Sequence, residues 1–131
     1  MTEKIVSQRI RNRIIEYLGL ASSFERQREY EANVPIANVA SEVICQWEDW
    51  VDEGRFEWYG SPVFSRAEVE AMKKFHATWD LVADCVDGRP RLEEVQKVSE
   101  WARLRDAAAE ALSVFSMRGK LPEDEEMSDD A

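Results

Sequence analysis

At 131 residues the chain has the length of one domain, and 44% hydrophobic residues supply enough apolar surface for a core, which excludes wholesale disorder. Asp and Glu number 27 against 17 Lys and Arg, a net charge of −10. That balance is the reverse of the basic footprint a nucleic-acid binder needs, and anionic membrane surfaces repel it.

The start, MTEKIVSQRIRNR, carries charges where a signal peptide needs an apolar run. No stretch approaches the ~18 consecutive apolar residues of a membrane-spanning helix. Cys45 and Cys85 do not make a disulfide framework. The expected compartment is a reducing cytoplasm.

Helical periodicity begins at once. Val6, Ile10, Ile14, Tyr17 and Leu18 share one face of a helix. Gly19 is placed to close it, and Ser22 with Glu25 fits a capping box opening a second helix. Ala21 and Phe24 also continue the first stripe, so residues 3–32 read equally as one helix or two, ended by Pro35. Arg9, Arg11 and Arg13 spread around the first helix and read as solubilising or paired charges. Residues 38–53 are strongly amphipathic: Val39, Val43, Ile44, Trp47, Trp50 and Val51 form one face, acids fill the other, and Gly54 is expected to terminate it.

Residues 55–64, RFEWYGSPVF, lose helical period around a Gly-Ser-Pro turn and suggest a short hairpin, weakened by Pro62. Ser65 and Glu68 make a capping box for a helix to about Val86, whose stripe is Met72, Phe75, Trp79, Val82 and Val86. Asp87-Gly88-Arg89-Pro90 stops it. Leu92–Val98 reads as a short helical turn. A final helix, capped by Ser99 and closed by Gly119, carries Trp101, Leu104, Ala108, Ala111, Leu112 and Phe115. The expected fold is therefore all-α, a compact bundle of four to five amphipathic helices over residues 1–120. Residues 121–131, LPEDEEMSDDA, hold six acids and no base, and read as a disordered tail. Should the tail dock instead, Arg9, Arg11 and Arg13 are the basic residues to receive it.

Catalytic chemistry is thinly supplied. His76 is the single histidine and sits at the edge of an apolar stripe, as a boundary residue with a satisfied ring does. Cys45 lies on an acidic face, which raises rather than lowers a thiol pKa. The zinc-ligand spacings, the phosphate-binding glycine motifs and the GxSxG elbow are all missing, so no catalytic residue, cofactor or metal is assigned. One enzymatic alternative is a carboxylate-held magnesium site, with Asp49, Asp52 and Glu53 facing Glu25 and Glu29. All-α nucleotide pyrophosphohydrolases are built on ExxE and ExxD pairs, and the chain is similar to them only in that general arrangement, since Glu25 and Glu29 have a different spacing.

A binding surface is the stronger expectation. Glu48, Asp49, Asp52, Glu53 and Glu57 lie among aromatics, with Trp47 and Trp50 read as core. Trp58 and Tyr59 are adjacent, so on a strand they point to opposite faces and one of them is exposed. Carboxylates around an exposed aromatic suit a basic protein partner. Size and charge match the class of small acidic inhibitors of basic nucleases or toxins, which includes bacterial immunity proteins and antitoxins. A further alternative is homodimeric assembly through the off-stripe apolar residues Ile15, Leu81 and Val114.

Overall fold

The computed structural model describes residues 2–86 and 90–128. These form α1 (Glu3–Ala21), α2 (Phe24–Asn33), α3 (Val39–Trp50), a 3-10 helix (Glu53–Trp58), α4 (Arg66–Cys85), the single turn α5 (Leu92–Val95) and α6 (Ser99–Phe115). No strand occurs among the described residues, and the architecture is the all-α bundle the periodicity predicts. None of these helices is long and apolar enough to cross a membrane.

Local chemistry sets the helix ends. Residues 3–33 divide into two helices because Ser22 closes α1, its N–H donating to the Leu18 carbonyl at 2.9 Å. The next serine, Ser23, caps α2 by accepting the Arg26 N–H at 3.1 Å, one residue later than expected. Gly19 lies inside α1 rather than ending it. A Cβ there would meet Arg26 Nη1 at 2.7 Å, the far end of a flexible side chain that would have to shift. The Ser65–Glu68 box forms in full, with Glu68 N–H on Ser65 Oγ and Ser65 N–H on Glu68 Oε1. Ser99 is the first residue of α6, not its cap, and α3 stops at Trp50, before Gly54. Asp87, Gly88 and Arg89 of the expected stop lie outside the described residues.

The most extensive helix pair is α4 with α6. They run antiparallel, since Glu68 meets Arg118 near one end and Lys74 meets Glu110 further along. α1 packs on both α6 and α3. Tyr17, Trp47 and Phe75 form an aromatic triad at the centre, with ring centroids 4.6–6.0 Å apart. Trp101, Leu104 and Phe115 are buried, as their stripe requires. Gln27 is buried and fully used: it donates to the Leu20 and Ala21 carbonyls and accepts from Trp101 Nε1 and Gln96 Nε2.

Two expectations are corrected. The hairpin at 55–64 is absent, and the segment opens with the 3-10 helix instead. Phe56 and Tyr59 are three residues apart, the repeat of a 3-10 turn, and their rings pack at 6.0 Å. The tail also differs over residues 121–128, which lie against α1 rather than free of it. The Gln8, Arg9 and Asn12 side chains donate to the carbonyls of Leu121, Pro122, Glu123 and Glu125. Composition gives the segment few apolar groups, of which Leu121 and Met127 pack partly buried against the core. Its main-chain groups also find partners on α1, and residues 129–131 lie outside the described residues.

An ionic cluster ties the ends of the bundle together. Arg11 on α1 is 0% exposed and meets Glu68 in a bidentate pair, with Nη2 to Oε2 at 2.8 Å and Nε to Oε1 at 3.2 Å. Its remaining donors reach the Phe115 and Gly119 carbonyls. Arg118 adds a second guanidinium to Glu68 and spans to the carbonyls of Pro62 and Val63. Burial raises the Glu68 pKa, but the hydrogen bonds from Arg11, Arg118 and the Ser65 N–H outweigh it, and the carboxyl is held below its ordinary value of 4.5. A depressed carboxyl stabilises the fold above its unfolded pKa, and that stabilisation is lost as pH falls through the folded value. Removing one partner leaves a buried charge unpaired, at about 3–5 kcal/mol. Glu68→Gln should therefore lower unfolding free energy in urea by that amount at pH 7. The wild-type chain should lose stability as pH falls below about 4.5, and the variant should show a weaker acid dependence.

Candidate functional site

The acidic edge begins on α3. Its amphipathic pattern buries Val39, Ala40, Val43 and Trp47 and leaves Cys45, Glu48 and Asp49 exposed. After Trp50 the chain extends through Val51, and the Asp52 carboxylate accepts the Gly54 N–H at 3.0 Å to start the 3-10 helix. This turn keeps Asp52, Glu53 and Glu57 in solvent beside the end of α3. Five of the expected site residues are thus exposed carboxylates on consecutive elements. Among the described residues none of Glu48, Asp49, Asp52 and Glu57 makes an ion pair.

The two aromatic candidates separate. Tyr59 is buried, and its hydroxyl donates to the Trp50 carbonyl at 2.9 Å while accepting the Asp52 N–H at 3.0 Å. It staples the end of α3 to the following turn, which removes it from the binding candidates, and burial pushes its phenol above the ordinary value. Trp58 is half-buried and packs edge-on against Tyr59 at 5.0 Å. Together with Ile10, Asp52, Arg55 and Tyr59 it lines a cleft of about 220 Å³ at the foot of the acidic edge. Trp50, expected in the core, is half-buried.

His76 has a defined role. Trp47 Nε1–H is a donor only and lies 3.0 Å from His76 Nδ1, so that nitrogen accepts and the neutral ring carries its proton on Nε2. Nε2 then donates to Glu53 Oε2 at 2.9 Å. Both ring nitrogens are engaged, which fits a satisfied boundary histidine. Cys45 is an exposed free thiol with no hydrogen bond to His76 among the described residues. The carboxylates considered for magnesium, Glu25, Glu29, Asp49, Asp52 and Glu53, do not converge. No group of three or more His, Cys, Asp or Glu side chains among the described residues has the arrangement to hold a metal ion.

A cavity of about 720 Å³ lies elsewhere, between α4 and α6. Ala67, Ala71, Thr78, Leu81, Ala107 and Val114 supply much of its lining, with Leu81 69% exposed. Leu81 and Val114, two of the off-stripe apolar residues, therefore share one groove. Ile15 packs against the core instead. No protein-family model matches the chain, and neither a curated protein nor a solved structure shows detectable similarity to it.

The Trp47–His76 bond is open to a direct check. His76→Phe keeps a ring against Trp79 and Phe56 but leaves the indole N–H of fully buried Trp47 without an acceptor. An unsatisfied buried donor costs about 1–3 kcal/mol. Urea unfolding should show that loss, and adding Trp47→Phe to His76→Phe should make the combined loss smaller than the sum of the two single losses.

Proposed function

We propose that the chain is a protein-binding protein that neutralises a basic partner in the cytoplasm, in the manner of a bacterial immunity protein or antitoxin. The contact surface in this reading is the edge formed by Glu48, Asp49, Asp52, Glu53, Glu57 and Trp58. The observation that carries it is the pairing of unneutralised carboxylates with a small aromatic-walled cleft. A long basic side chain matches that cleft, its aliphatic stem against Trp58 and its cationic head on Asp52. Arg55 is the one base of the segment and lines the same cleft, so an incoming cation replaces it there. The remaining acids act at longer range, on the encounter rate.

A second reading, homodimeric assembly, draws on the groove between α4 and α6. Its floor is apolar, and its rim carries both signs: Lys74 and Arg103 beside Glu70, Glu100, Asp106 and Glu110. A rim of mixed sign complements itself across a two-fold axis, which points to a second copy as the occupant. Leu81→Glu should then abolish any dimer seen by light scattering, and a monomer at millimolar concentration removes this reading.

The first reading is tested with the protein captured from the source cell by the tagged chain. Asp49→Lys with Asp52→Lys should slow association and flatten its salt dependence. Trp58→Ala should speed dissociation, with a loss of about 2 kcal/mol or more for a hot spot. Arg55→Ala should tighten binding. Unchanged kinetics in all three variants would exclude this edge as the interface.

A further inference from the structure

The outward polar face of α1 binds a non-helical acidic segment through that segment's main chain. Gln8 Nε2 donates to the Pro122 carbonyl at 2.7 Å and the Glu125 carbonyl at 2.9 Å, and Gln8 Oε1 accepts the Met127 N–H at 2.9 Å. Asn12 holds both main-chain groups of Leu121, donating to its carbonyl at 2.8 Å and accepting its N–H at 2.9 Å. Arg9 Nε donates to the Glu123 carbonyl at 2.6 Å, and Lys4 Nζ to the Met127 carbonyl at 3.3 Å. The segment runs antiparallel to α1, since Met127 lies by Lys4 and Gln8 while Leu121 lies by Asn12.

Two features make this a built site. Gln8 is 0% exposed and Asn12 1% exposed, so their amides are committed to these contacts. A single side chain is also read by charge: the Glu123 carboxylate accepts from Asn12 Nδ2 at 2.8 Å and from Arg13 Nη2 at 2.7 Å on each oxygen, while Arg13 Nη1 donates to Glu16. The Asn12 hydrogen bond, with the Arg13 and Arg9 charges, holds that carboxyl below its ordinary value. Leu121 and Met127 bracket it as partly buried apolar residues. Pro122 has no N–H to satisfy.

We infer that this face of α1 is a binding site for an acidic peptide, filled here in cis by residues 121–128 and open to the same peptide chemistry in trans. Main-chain recognition supplies affinity without regard to side chains, as in strand addition, while Glu123, Leu121 and Met127 supply selectivity. The occupant holds on by side-chain bonds to α1 and not by helix or sheet pairing. It is the type of element that opens locally without unfolding the core. Tethering gives it an effective concentration in the millimolar range for a short linker, so a free peptide meets a site that is mostly taken.

The test uses the full chain and a fluorescein-labelled peptide of residues 120–131. A full-length variant carrying Leu121→Asp and Glu123→Lys weakens only the resident segment and leaves α1 intact. It should bind the labelled peptide about tenfold or more tightly than the wild-type chain, because apparent affinity scales with the fraction of open sites. Adding Gln8→Ala and Asn12→Ala to that variant should abolish binding. A labelled peptide carrying Glu123→Lys should not bind in either background, and this arm holds even where the α1 changes disturb folding, since it alters the ligand alone. Equal peptide affinity for wild type and the tail-weakened variant, or binding indifferent to Glu123→Lys in the peptide, would overturn the inference.

Discussion

A single carboxylate, Glu68, organises how the bundle closes. It stands at the third position of α4, where the capping box already calls for an acid, and it is buried between two guanidiniums. Such a charge is costly to desolvate, so it persists only where every oxygen is served. Here Ser65 N–H, Arg11 and Arg118 serve them, and those three groups come from the entry to α4, the middle of α1 and the turn beyond α6. Arg11 spans from α1 to Glu68 over the Phe115 ring of α6, at 5.2 Å from its centroid. The turn after α6 is fixed in the same act, with Gly119 at φ +71° presenting its carbonyl to Arg11.

The two sides of the molecule treat charge differently. Toward the chain ends, acids and bases neutralise one another: Glu68 with Arg11 and Arg118, Glu16 with Arg13 and Lys120, Glu123 with Arg13. Around the end of α3, carboxylates stand without such partners among the described residues, and Glu53 meets a neutral imidazole. Part of the net charge of −10 is thus expressed on that edge, while Arg11 and Arg13 are paired with acids of the bundle. The open carboxylates of that edge are what link the fold to the binding function proposed above.

Much of the fold was legible because each long helix has one apolar face and recognisable ends. The stripes of α3, α4 and α6 and the Ser65–Glu68 box needed only local rules. What local rules missed were polar side chains whose partners lie far along the chain. Arg11, Gln8, Asn12 and Gln27 look like ordinary surface residues of an amphipathic helix, yet all are buried. Burial of a polar group is decided by whether a distant partner arrives, and nothing in a neighbouring residue announces that. The same limit explains Tyr59, whose adjacency to Trp58 suggested exposure until the hydroxyl found the end of α3. The exposure of the five acids was legible, because the face opposite an apolar stripe is wet. The small cleft beside them was not, since it depends on Ile10 arriving from α1.

The antiparallel run of residues 121–128 along α1 sets Met127 against Lys4, across nearly the whole length of the bundle's sequence. A pulling force applied between Lys4 and Met127 would therefore bear first on the side-chain bonds from Gln8, Arg9 and Asn12, and only after their rupture on the Arg11–Glu68 pair. The chain would yield in two steps, a weak release of the C-terminal segment followed by the cooperative rupture of the bundle.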